Sequence, residues 1–453
     1  MSNRRNFLQS VLSVGAGIVA SAKAFASPPP QHHQMQMGGS LYTPARKGGG
    51  ARARPSSSVD TPDVPQLPWQ MVDGAKEFHL VAEPVKRRLI PGRDMEVWGY
   101  NGSCPGPTIQ VNQGDHVRIV FDNHLPEPTS MHWHGFEIPN EMDGAPGSSQ
   151  DPVKPGGRFV YEFTLHQEGT YFYHPHMAMQ EMIGMLGAFI MHPRVARAPR
   201  VDRDFVIMLQ EYAILPNISI PNTMNMEFNW LTFNGKAGPA ITPLIVRLGD
   251  RVRVRLINLG MDHHPIHLHG HTFFITGTEG GPIPQTLWYP GNTVLVGVAQ
   301  ARDFEFVANN PGDWMLHCHM PHHMMNQMTS TVGPMTRLGK GMPAGAGMEA
   351  HNMPGMDHGE MKMNVEVSPD ANSVPGFPQD AFMSGPMMAM DQMVAKPEND
   401  GLRPGWSGFI QGMMTFVRVL PPDQYQRIMD LKAAQQARRS NGNQGSGGRR
   451  HGE

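Results

Sequence analysis

A cluster of metal-binding side chains lies in the second half of the chain: His317, Cys318, His319, His323 and Met328. Successive side chains of an extended backbone point to opposite faces, so His317 and His319 would project one way and Cys318 the other. One cysteine, two histidines and a weak axial methionine form the ligand set of a blue-copper electron-transfer site. Zinc sites more often use several cysteines or leave an open position beside three ligands. The pattern therefore predicts two metal sites back to back.

Four His-x-His pairs supply the second kind of site. They are His132/His134, His174/His176, His267/His269 and His317/His319. In extended chain, each pair places two imidazoles on one face. Eight imidazoles are too many for one metal but suit a cluster of three copper ions. Such a cluster and one blue copper together store four electrons, the number that reduces dioxygen to two waters.

An internal repeat predicts two domains. Gly114-Asp115 and His132-Trp133-His134-Gly135 recur, with the same spacing between them, as Gly249-Asp250 and His267-Leu268-His269-Gly270. A later block around His174-Pro175-His176 matches His317-Cys318-His319 at a slightly larger separation. Short strand-like runs separated by Pro, Gly and Asn are typical of antiparallel β-sandwiches. We predict two tandem β-domains, residues 67–196 and 200–337.

The two copies differ at the blue-copper positions. The first copy has Thr129, Pro175 and Gln180 where the second has His264, Cys318 and His323, and only Met185 matches its counterpart, Met328. A proline cannot supply a thiolate. The first domain is therefore predicted to lack this copper while keeping its paired histidines.

These residues resemble the four copper-binding motifs of the multicopper oxidases, and their count and spacing are similar to those of the two-domain, or small, laccases. A three-domain laccase would place far more chain between His134 and His267, and two-domain nitrite reductases carry the blue-copper cysteine in the first domain. The resemblance implies an all-β fold of two tandem cupredoxin-like Greek-key β-sandwich domains with a Met-rich C-terminal extension. It also implies four coppers per chain.

The resemblance further implies the role of each ligand. The type 1 copper would be held by His264, Cys318, His323 and Met328, the type 2 copper by His132 and His267, and the type 3 pair by His134, His174, His176, His269, His317 and His319. Each domain supplies half of the cluster, and in two-domain laccases these halves meet between neighbouring chains of a homotrimer. Asp143 stands where the family has an acidic residue near the cluster, although Asp143-Gly144 also fits a simple turn.

Three functions remain open on the sequence alone. Phenols or aromatic amines could donate electrons at His264 or His323, a laccase activity with dioxygen as acceptor. Cu(I) could be the donor, because thioethers favour it and eleven Met lie between Met342 and Met393. A non-enzymatic copper-sequestering protein is the third possibility, against which the complete ligand set argues. Asp262 either lines the substrate surface or is an ordinary loop carboxylate.

Composition and the chain ends complete the predictions. A net charge of −2 gives no electrostatic reason to expect nucleic acid or an anionic membrane as partner. With Cys318 binding copper, Cys104 remains an unpaired, buried thiol.

Arg4 and Arg5 before a short apolar run indicate a twin-arginine signal cut after Ala26, and hence a periplasmic or otherwise exported protein, with an uncleaved anchor as the alternative. The remaining predicted segments are a signal peptide at 1–26, a flexible leader at 27–66, a Met/Gly/Pro-rich tail at 338–405, a docked or helical segment at 406–439 and a disordered end at 440–453.

Overall fold

The computed structural model describes residues 58–214, 218–226, 228–326 and 390–444, the last six as backbone only. The predicted signal peptide, Met328 and residues 338–389 lie outside these ranges. In the described part of the chain, no helix combines the length and the apolar character needed to cross a membrane.

The first domain is a sandwich of two sheets. Its strands are β1 (Trp69–Val72), β2 (Ala75–Ile90), β3 (Arg93–Tyr100), β4 (Gly106–Asn112), β5 (His116–Asn123), β6 (His132–His134), β7 (Arg158–Thr164), β8 (Gly169–His174) and β9 (Gly187–His192), with helix α1 (Ala178–Met182) between β8 and β9. One sheet has the order β1-β2-β5-β7, with β3 paired to β2, and the other has the order β4-β9-β8-β6. Strand β6 thus lies at a sheet edge and pairs with β8.

The second domain repeats this arrangement. Its strands are β10 (Arg203–Tyr212), β11 (Trp230–Phe233), β12 (Leu244–Arg247), β13 (Arg251–Asn258), β14 (His264–Leu268), β15 (Phe273–Thr278), β16 (Gly281–Pro282), β17 (Tyr289–Gly291), β18 (Thr293–Val296), β19 (Gln300–Val307), β20 (Gly312–Cys318) and β21 (Met414–Leu420), and helix α2 (Pro422–Gln444) follows. One sheet has the order β11-β10-β13-β19-β15-β16, with β17 paired to β15, and the other has the order β12-β21-β20-β14-β18.

Each domain has its own apolar core, and a third cluster joins the two domains. Alternate residues of β2, including Phe78, Leu80 and Ala82, are fully buried in the first core, as expected for sheets that pack on one face. Phe172 of the first domain and Val206 of the second belong to the shared cluster. The all-β prediction of two cupredoxin-like domains is confirmed.

Strand β21 closes the second domain from far down the chain. It runs parallel to β12 and antiparallel to β20, just as β9 runs beside β4 and β8 in the first domain. The registers equate Phe189 with Val417 and Met191 with Val419. In the first domain only residues 175–186 separate β8 from β9, whereas residues 319–413 separate β20 from β21. The Met-rich segment is therefore an insertion within a domain and not a terminal tail.

The chain ends pack more closely on the body than the sequence suggests. Within the segment predicted as a flexible leader, Val59 is buried and Asp60 donates its backbone N–H to the Asp204 carbonyl at 2.8 Å. The segment 406–439 contributes β21 as well as the predicted helix, which docks through Ile428 against Ile245 and Leu420. Helix α2 ends at Gln444, inside the segment predicted as disordered.

Candidate copper centres

Three buried side chains converge in the second domain. His264 opens β14, Cys318 closes β20, and His323 lies on the short 3-10 turn Pro321–Met324 that follows. The Nδ1 atoms of His264 and His323 are 3.1 Å apart, and they lie 3.8 and 3.3 Å from the Cys318 sulfur. An ion equidistant from these atoms would lie roughly 2 Å from each, a typical metal–imidazole bond length. The donor set and its spacing therefore fit a blue copper.

A buried carboxylate orients the first of these imidazoles. The Glu211 Oε2 atom lies 3.0 Å from His264 Nε2, and its side chain is 1% exposed. Its Oε1 atom accepts the backbone N–H groups of Met261 and Asp262. The carboxylate therefore accepts the Nε2 proton and leaves the Nδ1 lone pair facing Cys318. Such a partner fixes the tautomer of a metal-binding histidine and raises its basicity.

The second imidazole faces outward. His323 Nε2 lies 3.5 Å from the Asp262 carboxylate, whose side chain is 41% exposed, whereas His323 itself is 1% exposed. Burial, and then the charge of Glu211, raise the pKa of Asp262 above its usual value. Asp262 therefore places a partly exposed carboxylate beside the buried His323 ring.

Burial favours the uncharged forms of Cys318 and His323. Burial raises the pKa of the Cys318 thiol to about 12. Burial, followed by repulsion from His264, lowers the pKa of His323 to about 3. The His323 imidazole is thus ready to bind a metal, while the Cys318 thiol must first lose its proton.

The first domain fills the corresponding position with a hydrogen-bonded pair. Thr129 donates its hydroxyl to Gln180 Oε1 at 2.7 Å, and the Gln180 amide donates to the Pro128 carbonyl at 2.9 Å. Both side chains are buried. The space of a blue copper is therefore closed by neutral polar groups.

Four histidines gather at one end of the first domain. His132 and His134 on β6 face His174 at the end of β8, and His176 lies beside them. The ring centroid of His132 lies 5.8, 5.2 and 5.6 Å from the centroids of His134, His174 and His176 respectively. His132 Nδ1 donates to the Asp143 carbonyl at 2.9 Å and His174 Nδ1 to the Pro175 carbonyl at 2.8 Å. Carbonyl oxygens only accept, so the lone pair of each ring is on Nε2, the nitrogen available to a metal. Nε2 of His174 lies 3.3 Å from His134 Nδ1.

Two carboxylates border this quartet. Asp143 Oδ1 lies 3.4 Å from His132 Nδ1, and Glu181 Oε1 lies 3.3 Å from His174 Nδ1. Asp143 is where the sequence places an acidic neighbour of the cluster, and it also precedes a glycine of positive φ in a tight turn. Burial, and then the neighbouring His174, lower the pKa of His134 to about 4.

The second domain presents a matching quartet. His267 on β14 lies opposite His317 on β20, with ring centroids 5.6 Å apart, and its ring lies 4.8 Å from His269 and 5.4 Å from His319. His267 Nδ1 donates to the Asn292 carbonyl at 2.7 Å, and His317 Nδ1 donates to the Cys318 carbonyl at 2.9 Å. The lone pairs of both rings are therefore on Nε2, and Nε2 of His317 lies 3.0 Å from that of His269. The backbone therefore places Cys318 directly between His317 and His319, two members of this quartet.

The two quartets do not meet within the chain. All eight histidines are described, and every ring contact among them joins members of the same domain. A single copy therefore presents two half sites.

Two side chains in these sites were missed by sequence reasoning. Glu211 lies near the end of β10, far before His264 in the chain, and no local motif marks it. Glu181 stands one position after Gln180, the residue that replaces a ligand, and could have been suspected from the repeat. Glu211 is brought to His264 only by tertiary packing, whereas Glu181 lies seven residues after His174 in the chain.

The fold and the sites define a two-domain cupredoxin-type protein built to hold copper. Multicopper oxidase family models match residues 83–196 and 214–334. The chain belongs to the multicopper oxidase family, whose members bind copper, typically four ions per chain.

Individual relatives point in the same direction. The crystal structure of a blue copper oxidase from Nitrosomonas europaea is 33% identical, with a TM-score of 0.52 over 55% of this chain and 81% of that one. Copper resistance protein A of Pseudomonas syringae pv. tomato is 34% identical over 32% of this chain and 24% of its own length. Laccase-1 of Cryptococcus neoformans is 36% identical over 35% of this chain and 25% of its own length. The match thus spans about a quarter of these curated relatives.

Proposed function

We propose that this protein oxidises one-electron donors at the Cys318 centre and reduces dioxygen to water at a three-copper cluster. The observation that carries the proposal is the backbone link between the two sites: Cys318 lies in the apolar core while the neighbouring His317 belongs to the histidine quartet. Copper, when bound, supplies the one-electron redox chemistry. The chain supplies imidazoles, a thiol and the acidic groups that orient them.

We further propose that the cluster forms between copies of the chain. Each domain presents four histidines, and the two quartets make no ring contact with each other in one chain. A ring in which the first domain of one copy faces the second domain of the next would complete every cluster. A homotrimer, by resemblance to the two-domain laccases, is the expected assembly, and the native mass of the copper-loaded protein tests it.

Phenols and aromatic amines are the first proposed donor class. A phenol loses a proton together with its electron, so a carboxylate beside the entry imidazole would assist its oxidation as a general base. Asp262 meets this need, since it is partly exposed and 3.5 Å from His323. Replacing Asp262 with Asn should therefore lower phenol turnover more than Cu(I) turnover.

Cu(I) is the second proposed donor, favoured by a different observation. Met261 is 47% exposed and neighbours Asp262, and the Met-rich stretch follows His323 in the sequence. Thioethers bind Cu(I) in preference to harder cations. Replacing Met261 with Leu, which keeps its size, should lower Cu(I) turnover and spare phenol turnover.

Oxygen uptake by the copper-loaded full chain tests the proposal. Dimethoxyphenol and Cu(I) are supplied in turn to the unmodified chain and to Cys318→Ser, the matched control without a thiolate. Uptake must be driven by at least one donor and abolished in the variant. A non-enzymatic copper-sequestering protein would consume oxygen with neither.

Export through the twin-arginine pathway to the periplasm is a separate proposal, which rests on Arg4 and Arg5. Changing both to Lys should retain the protein inside the cell. Fractionation of cells that express the two forms measures this directly.

A further inference from the structure

Residues that follow the insertion in the second domain correspond to the end of the equivalent motif in the first domain. In the first domain, Gly184-Met185 immediately precede Leu186 and strand β9; by the strand registers the same two positions before β21 are Gly412 and Met413. The counterpart of Met185 is therefore Met413, and not Met328, the position taken from sequence spacing. Met185 and Met413 are both fully buried, each in the core of its own domain.

Met413 is held between the two halves of the site by its backbone. Its carbonyl accepts the Cys318 N–H at 3.1 Å, and its N–H donates to the His323 carbonyl at 2.9 Å. Its side chain belongs to the same apolar cluster as Cys318. Met413 is thus tied to the cysteine and to one histidine of the centre at once.

A glycine allows this close approach. Gly412 has a φ of +56°, and a Cβ there would come within 2.2 Å of the His323 carbonyl oxygen. Any side chain at this position would push β21 away from the turn that carries His323. Gly184, its counterpart, also has a positive φ.

Hydrogen bonds of the Asn326 side chain connect the two ends of the insertion. Its Oδ1 atom accepts the Gly412 N–H at 2.9 Å, and its Nδ2 donates to the Gly238 carbonyl at 2.7 Å. The residue is 4% exposed. The Gly238 N–H in turn donates to the Gly412 carbonyl at 2.9 Å. Because these bonds close on one another, a single amide fixes the start of β21 relative to His323.

We propose that Met413 supplies the axial thioether of the type 1 site and that Asn326 is the positioning residue that holds it there. The inference rests on the proposed type 1 centre and replaces Met328 as its fourth ligand. The insertion then lies in the sequence between the ligands His323 and Met413, and its own methionines are not needed as type 1 ligands.

Reduction potential and visible absorption test the assignment on the copper-loaded full chain. A thioether donates weakly to Cu(II), so Met413→Leu should raise the potential, and Met413→Gln, which offers a harder oxygen donor, should lower it. Met328→Leu and Met328→Gln are matched controls and should leave both readouts unchanged. Opposite shifts from two variants at one position cannot come from general loss of packing.

Asn326 is tested in the same way. Asn326→Ala should shift the type 1 absorption while the copper content of the cluster is kept, and Asn326→Asp, which retains the acceptor for the Gly412 N–H, should restore part of the normal spectrum. Shifts in the Met328 variants with none in the Met413 variants would overturn the assignment, and so would no shift in either set. An unmodified chain without any blue absorption would instead refute the type 1 centre itself.

Discussion

The buried contact between Glu211 and His264 should contribute to the affinity of the type 1 site for copper. Replacing Glu211 with Gln keeps the size of the side chain but gives it one oxygen and one NH2 group. The carboxylate now accepts from two backbone N–H groups at one oxygen and from His264 Nε2 at the other. Whichever way the amide turns, its NH2 group faces a donor. With the oxygen turned to the backbone groups, relief of the clash requires the His264 proton to move to Nδ1, the atom that faces Cys318.

Loss of such a partner typically weakens metal binding about 10- to 100-fold, which corresponds to about 1.4 to 2.8 kcal/mol. Type 1 copper of Glu211→Gln should therefore be removed at roughly 10- to 100-fold lower concentrations of a Cu(I) chelator. The assay follows the visible absorption and copper content under anaerobic competition. Thermal unfolding of the metal-free variant confirms that the domain is folded.

Asp262→Asn is the matched control, because its contact to His323 is longer, at 3.5 Å, and partly exposed. Solvent reaches the 41% exposed Asp262 side chain and screens its charge, so the copper affinity of this variant should change far less. Equal retention of copper by Glu211→Gln and the unmodified chain would refute the reasoning that the carboxylate sets the His264 tautomer.

Three further predictions follow from the half sites and the ionisation states. Co-expression of His174→Ala with His317→Ala should restore about a quarter of the cluster sites if copies assort randomly in a ring, whereas either variant alone consumes no oxygen; no recovery on co-expression would contradict clusters shared between chains. Because the Cys318 pKa is about 12, copper that binds the type 1 site at pH 7 must displace the thiol proton. In the double variant His132→Ala/His317→Ala, a pH-stat should therefore measure the release of one proton per chain, and release of none would show that a thiolate is already present. Because the folded pKa values of His134 and His323 are about 4 and about 3, the unfolded metal-free chain binds protons first as the pH falls below about 6.5, so its stability should decrease from there toward pH 3; a flat melting temperature over this range would contradict burial of neutral imidazoles.

The sequence predicts the paired histidines well because both ligand spacing and strand alternation are local properties. His267 and His317 lie across one strand pair, and each is recognisable from a short motif. The repeat also predicts that Thr129 and Gln180 replace ligands, since each occupies a fixed offset within its domain.

The axial ligand and the outer partners are beyond local patterns. Met413 can be recognised only when β21 is placed beside β12 and β20. The insertion separates it from Cys318 and His323 in the sequence, so the motif spacing does not predict it. Glu211 depends on the packing of β10 against the loop before β14. Strand pairing over long chain separations therefore decides which side chains complete a site that short motifs begin.

One thiolate copper and a three-copper cluster are proposed to work as a single four-electron unit. An anaerobic reductive titration of the copper-loaded full chain, followed by visible absorption, tests it most directly. Four electrons taken up per chain, with complete bleaching of the blue band, is the predicted result. Uptake of one electron per chain, or a chain that remains colourless when loaded with copper, would contradict it.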